Sequence, residues 1–494
     1  MTRRGFSAVS SKEWKDSRWQ DKNAIRARRV SDIRPALERL SDSLEISKEQ
    51  QEMIGETLET LIESGKEPLR ITPYYLSLIQ KNPFLFDDGT VEGNLDPIFW
   101  QSVPTPAHLL FPLAGMDELM AEGDRSYGAV YQRYPNRVAL FVGANTSCSV
   151  YCSFCQRQKS LDATTSIAHE ELEKGLFYID WNKNIDEVLV TGGDALRVGE
   201  SRLRYVLNRL GEMEHIKSLR IATRVPVTLP MGVTEELLDV LSETREQYGK
   251  HIYVMTHVNH HKEVTEEFKD SINRIKQRGF TVLNQTVLLN HINADFSTLA
   301  ETFRQMWWGG VKPYYLLQCH KERGMAHFIK PIQYGKMLLQ HLQGWTSGTT
   351  KPIYAVNADE GGGKVLLMPS GYNTRDLGEE IRDQLYSPSA TINTWDGRIV
   401  SDFEALGRAS RKEFLHASQV MDRFIGRPDV FSPSVIIVDE QGEYIETTNR
   451  ELPSLHNQGK AAILGYEVCE DGMPVTNPAK IKDKLDVLYE KSKV

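Results

Sequence analysis

From Ser31 onward the apolar positions fall three and four residues apart. Ile33, Leu37, Leu40 and Leu44 share one helical face, and Ile54, Leu58, Leu61 and Ile62 repeat the pattern. This predicts a helical N-terminal region over 1–104. Its first 30 residues are charged and are expected to be loosely ordered or partner-bound. A proline-rich connector follows, with Pro104, Pro106 and Pro112. Between 137 and 370 the period changes. β-Branched runs predict strands at Arg137–Val142, Glu187–Val190, Leu219–Ala222, Ile252–Met255, Phe280–Leu283, Tyr314–Leu317 and Ile353–Val356. Amphipathic stretches between them predict helices near 168–180, 201–213, 234–247, 263–277, 296–307 and 332–343. Alternating strands and helices imply a parallel sheet. The fold class expected is therefore α/β, a partial (β/α)6-type barrel over 105–370. Residues 371–494 read as a mixed α+β extension, with a strand at Val435–Val438 and a turn at Asp439–Gly442.

A barrel places its chemistry where strands end, which can be checked along the chain. Cys148–Cys155 follows the first strand, Thr191–Asp194 the second, Thr223-Arg224 the third and Thr256–Asn259 the fourth. Asn284-Gln285, Gln318–His320 and Asn357–Lys364 fall at the last three. Polar clusters recur at one end of the predicted strands.

Composition narrows the function classes. The chain carries 59 basic and 67 acidic residues, net −8, so it lacks the basic excess of a nucleic-acid-coating protein. The start is polar, without an apolar signal segment, and no run of 18 apolar residues appears. A cytoplasmic protein with no membrane or nucleic-acid partner is expected. Five cysteines in 494 residues do not make a disulfide framework. Cys319 and Cys469 stand alone and read as unreactive thiols in or near the core.

The other three cysteines form Cys148-Ser149-Val150-Tyr151-Cys152-Ser153-Phe154-Cys155. Thiolates suit iron–sulfur clusters and zinc. Structural zinc wants four ligands, and the loop offers no fourth cysteine or histidine, so zinc needs a remote ligand. Three ligands to a four-iron cluster leave one iron open.

This C-x3-C-x2-C spacing resembles that of the radical S-adenosylmethionine (SAM) enzymes. The resemblance implies a [4Fe-4S] cluster on Cys148, Cys152 and Cys155, with SAM on the open iron. Phe154 matches the aromatic near the adenine, and Gly192, Gly193 and Asp194 match the segment whose backbone meets the SAM amino group. Further segments resemble the lysine 2,3-aminomutase family over 105–370. They are Arg133-Tyr134-Pro135-Asn136-Arg137, Gln156-Arg157, Thr191–Leu196, Arg224–Val227, Thr256–His260, Asn284–Leu289, Lys312–Tyr315 and Gly361–Lys364. The resemblance adds pyridoxal 5′-phosphate (PLP), held by Lys364 as its catalytic lysine, with Arg133 and Arg137 near the cofactor. Chemistry is compatible: a lysine at a barrel mouth can form a Schiff base, and guanidinium groups fork onto phosphate. Arg157 matches the arginine that holds the substrate carboxylate. The activity implied is migration of an amino acid's α-amino group to C3. It needs an external one-electron reductant such as a flavodoxin or ferredoxin.

Two departures stand out. Where the lysine enzyme has two aspartates for the far ammonium group of its substrate, this chain has His320 and Asn357. A buried ammonium without counter-charge is costly. The pair resembles the solution in glutamate 2,3-aminomutases, so glutamate or a similar non-basic amino acid is the expected substrate. Asp359 and Glu360 keep a lysine or other basic substrate as an alternative. A radical SAM enzyme modifying a macromolecule, and a silent iron–sulfur or zinc protein, are the others. The C-terminal region has only Cys469, so the zinc cluster that joins subunits in the lysine enzyme is not expected. The N-terminal region is left as the candidate support for a homo-oligomer.

Overall fold

The computed structural model describes residues 5–87, 95–110, 126–143, 147–155, 167–322, 324–358, 363–367, 392–393, 399–400 and 406–449. Arg157, Asp359–Gly362, Pro112 and Cys469 lie outside them.

The N-terminal layer is packed from Phe6 onward, which corrects the expectation of loose order for residues 6–30. Short helices occupy Ser11–Trp14 and Ser17–Lys22, capped by Ser10 and Asp16 side chains. The cause is an aromatic cluster: the Phe6, Trp14 and Trp19 rings lie 6.0–6.2 Å apart. Buried Gln20 donates to Trp14 O and accepts from Tyr74 N–H. Strands β1 (Ile25–Ala27) and β2 (Leu69–Ile71) pair antiparallel. Helices Val30–Ser41 and Lys48–Glu63 follow the predicted apolar faces, burying Ile33 and Leu40, then Ile54, Leu58 and Leu61.

The main sheet has ten strands in chain order across it. They are β3 (Ser126–Tyr127), β4 (Val130–Tyr134), β5 (Arg137–Phe141), β6 (Glu187–Thr191), β7 (Ser218–Ala222), β8 (His251–Thr256), β9 (Thr281–Leu288), β10 (Lys312–Gln318), β11 (Ile353–Ala358) and β12 (Gly363–Leu366). Strands β5 to β11 are parallel, seven in all and each overlapping a predicted strand. Antiparallel strands finish both ends, β12 on β11 and β4 with β3 on β5. The six predicted helices are present at His169–Trp181, Glu200–Gly211, Glu235–Tyr248, Glu266–Gln277, Phe296–Trp308 and Ile332–His341. The sheet curves far enough for its ends to meet, since the Lys364 N–H of β12 donates to Tyr134 Oη of β4 at 2.8 Å. The architecture is a partial barrel.

Strand Val435–Val438 lies between Gly407–Ser410 and Tyr444–Thr447, and Gly442 N–H closes the predicted turn onto Asp439 O. One continuous apolar core joins Trp14, the barrel, Phe424 and Val435. No described helix is long and apolar enough to cross a membrane.

Because Trp14 is 4% exposed, Trp14→Ala should cost about 3–5 kcal/mol. A lowered urea midpoint would show this. An unchanged midpoint would mean that residues 5–30 contribute no packing.

Candidate functional site

Strand parity builds a polar cavity. In β5 to β7 the alternate residues Val138, Leu140, Val188, Val190, Leu219 and Ile221 are buried in the apolar core. The intervening residues point the other way. Arg137, Glu187, Leu189, Thr191 and Arg220 line the inside of the barrel, with Tyr253, Gln285 and Tyr315 from later strands. The cavity measures about 900 Å³, at the upper end of the range for small-molecule sites.

Lys364, Arg133, Arg137, His320 and Asn357 all line this one cavity. Asn357 and Lys364 are direct partners in the β11–β12 hairpin, so their side chains share a face. The β4–β5 ladder slips between Gln132 and Tyr134, and such a bulge re-aims side chains. Tyr131, Arg133 and Tyr134 consequently all face the cavity. Arg133 Nε donates to Tyr131 Oη at 3.0 Å, and the Arg137 guanidinium lies 4.0 Å from the Tyr134 ring centroid. Burial, then the charges of Arg133, Arg220 and Arg137, push the Lys364 amine down to about 8. A lysine so shifted is neutral, hence nucleophilic, in a larger share of molecules near neutral pH.

His320 follows the end of β10. Its Nε2 and Asn357 Nδ2 are 3.0 Å apart. Burial, then Lys364 and Arg133, push the imidazole down to about 3. His320 is therefore neutral, and Nε2 accepts from the Asn357 amide. Asn357 Oδ1 is buried with no hydrogen-bond partner among the described residues. A buried acceptor in that state is a ligand contact in waiting.

The cysteine loop lies past the end of β5. Cys148, Cys152 and Cys155 are partly buried, and Ser149, Val150, Tyr151, Ser153 and Phe154 are buried. Burial pushes the Cys148 thiol up, and Asp194, Cys155 and Cys152 add to the push. A cation bound among the thiols would reverse that cost, since a metal deprotonates its thiol ligands outright. No three His, Cys, Asp or Glu groups among the described residues converge on a single ion. Thiolates are the soft donors that iron–sulfur clusters take. Ser153 N–H donates to Gln101 O and Tyr151 N–H to Arg70 O, so the N-terminal layer holds the loop from behind.

Gly192 and Gly193 turn the chain at φ +99° and +39°. A side chain at Gly192 would sit 2.7 Å from Gly143 O, so only glycine fits there. Asp194 Oδ1 accepts from Thr223 Oγ1 and Leu196 N–H, and Oδ2 from Arg224 N–H. Its carboxylate is engaged in joining the ends of β6 and β7. The Phe154 ring lies 5.4 Å from His257 and 6.5 Å from Phe328. Phe141 and Thr191 both line the cavity and lead into the cysteine loop and the glycine pair. The two groups of predicted residues are therefore neighbours in the barrel.

Several residues escaped the sequence reading. Arg220 lines the cavity and pairs with Glu187 at 2.8 Å. Its Nε is buried without a partner among the described residues. The signal was available: a charge at Arg220 and another at Glu187 occupy the phase opposite Leu219, Ile221, Val188 and Val190. Tyr131 and Tyr134 needed the bulge to be known. Arg224 stood within a quoted segment but had no role. Its guanidinium is buried against the cysteine loop, with Nη1 2.7 Å from Cys152 Sγ.

No family model matches the chain. Curated relatives do. A putative L-lysine 2,3-aminomutase of Aquifex aeolicus is 35% identical over 373 residues, 74% of this chain and 92% of the relative. L-lysine 2,3-aminomutase of Acetoanaerobium sticklandii is 32% identical over 367 residues, 74% and 81%. Glutamate 2,3-aminomutase of Clostridioides difficile is 30% identical over 392 residues, 79% and 83%.

Acylation of Lys364, followed by peptide mapping across pH, should rise with a midpoint near pH 8 rather than near an ordinary lysine's ~10.4. Below the midpoint the amine is protonated and unreactive. Arg133→Gln removes a like charge, so the midpoint should move up. A wild-type midpoint near that of surface lysines would contradict this electrostatic picture.

Proposed function

We propose a glutamate-type substrate for this chain, which belongs to the radical SAM, PLP-dependent lysine and glutamate 2,3-aminomutase family. The reaction is migration of the α-amino group to C3, giving a β-amino acid. The family works with a [4Fe-4S] cluster, SAM and PLP.

The observation that carries the substrate reading is the neutral His320–Asn357 pair in a cavity dominated by cations. Arg133, Arg137, Arg220 and Lys364 line it. The acidic residue among its described lining is Glu187, already paired with Arg220. A distal ammonium would meet like charge there, and an unpaired buried ammonium is disfavoured. A distal carboxylate meets favourable potential, the Asn357 amide and an imidazole that can take up a proton as negative charge arrives.

In this reading the chain's residues take the following roles. Lys364 holds PLP through its amine, and Arg133 and Arg137 hold the phosphate, with Arg220 adding charge on the same wall. Tyr131 and Tyr134 fix those arginines in place. PLP supplies delocalisation of an unpaired electron. Cys148, Cys152 and Cys155 would hold the cluster, the backbone of Gly192–Asp194 and the Phe154 ring would flank SAM, and the bound pair would supply radical chemistry. Arg157, outside the described residues, takes the α-carboxylate through forked hydrogen bonds. It lies two residues beyond Cys155, which keeps the substrate close to the radical source. The curved sheet encloses the site and limits water. The reading also includes an external one-electron donor, such as a flavodoxin or ferredoxin, a reducing cytoplasm and a homo-oligomer.

Two experiments test the reading. Borohydride reduction of the PLP-loaded enzyme should leave the pyridoxyl group on Lys364, and a label elsewhere would remove Lys364 from its role. Reduced enzyme with SAM and a panel of amino acids, followed by NMR, should give a β-amino product from glutamate and little from lysine. The double change His320→Asp with Asn357→Asp should shift the lysine-to-glutamate ratio by tenfold or more, about 1.4 kcal/mol of differential stabilisation. Wild-type turnover of lysine in preference to glutamate would refute the substrate reading.

A further inference from the structure

Arg224 follows the end of β7 and is buried at the contact between three parts of the molecule. Nη1 lies 2.7 Å from Cys152 Sγ. Nη2 lies within hydrogen-bond distance of Glu263 Oε1 at 2.7 Å, Gln101 Oε1 at 2.8 Å and Tyr75 Oη at 3.0 Å, and Nε donates to His257 O at 3.2 Å. Glu263 is 0% exposed. Its Oε1 also accepts from Tyr75 Oη at 2.6 Å, and its Oε2 from Asn259 and His260 N–H. The guanidinium therefore cannot swing away from the thiol without breaking several buried bonds.

We propose that Arg224 sets the reduction potential of the cluster through Cys152, and that Glu263 tempers it. The inference rests on ligation of the cluster by the cysteines, as proposed above. Reduction adds one electron, taken from the external donor, to a cluster held by thiolates. A fixed cation donating an N–H to a ligand sulfur stabilises that added charge and raises the potential. A carboxylate on the far side of the same guanidinium opposes it. Such interactions decay slowly in a buried, low-dielectric setting. Arg224 is a positioning residue in this scheme, acting on the cluster through its ligand.

The opposed charges give opposed predictions. The test is a redox titration of the reconstituted enzyme without SAM, followed by EPR of the reduced cluster. Arg224→Gln should lower the midpoint, with about a tenfold lower reduced-to-oxidised ratio at a fixed potential, about 59 mV for one electron. Glu263→Gln should move the midpoint upward. Arg224→Lys keeps the charge but not the fork, and should fall between wild type and Arg224→Gln. If Arg224→Gln does not take up iron, Glu263→Gln and Arg224→Lys decide the matter. Shifts of the same sign in the two glutamine variants, or no shift in Glu263→Gln, would overturn the proposal. Failure of the ligation reading looks different: a wild-type cluster signal that survives Cys152→Ala, or no wild-type signal after reconstitution.

Discussion

The arrangement depends on one buried ion pair, Arg224 with Glu263. Each group is expensive to take out of water, and each is stable there only because the other, with Tyr75, Gln101 and the backbone at Asn259 and His260, satisfies it. Those partners come from the N-terminal layer, the end of β7 and the turn after β8. Removing one charge would strand the other, at a cost of about 3–5 kcal/mol. The pair therefore locks three segments into one geometry, and the cysteine loop is built against that lock.

The same layer serves the loop directly. Gln101 receives Arg224 and Asn259 on its side chain and Ser153 N–H on its carbonyl. Asp21 pairs with Arg70 and Arg197, and the Arg70 carbonyl takes Tyr151 N–H. The helical N-terminal region is therefore the back wall of the cysteine site. It also closes one continuous apolar core with the barrel.

Inside the barrel the controlling quantity is charge. Three arginines and Lys364 crowd a cavity with one acidic partner among its described lining. Burial, then the arginine charges, lowers the Lys364 amine, and burial, then Lys364 and Arg133, keeps His320 neutral. The site is poised for an anionic ligand, which would relieve the repulsion. Phosphate and carboxylate groups have that property, and a lysine side chain does not. Relatives that act on lysine and one that acts on glutamate match this chain at similar identity, so the assignment turns on these few side chains.

Much of this was legible in the chain. Short β-branched runs marked the seven parallel strands, because such side chains suit a buried pleated sheet. The spacing Cys148, Cys152, Cys155 marked out a candidate ligand loop, since ligand chemistry constrains local sequence. Asn357 and Lys364 were singled out, yet only the hairpin register shows them side by side. Other features were not local. Arg224 meets Cys152 and Gln101 across 72 and 123 residues, Lys364 meets Tyr134 across 230, and Trp14 finds its cover in a cluster that polar neighbours disguise. Hydrophobic patterning gave the fold class, and the resemblance of several short motifs pointed to the family. Tertiary structure decided which cations share a cavity, which proton equilibria they shift and what stands behind each cysteine. Electrostatic interactions act through space, and residue order says little about which charges the folded chain brings within their reach.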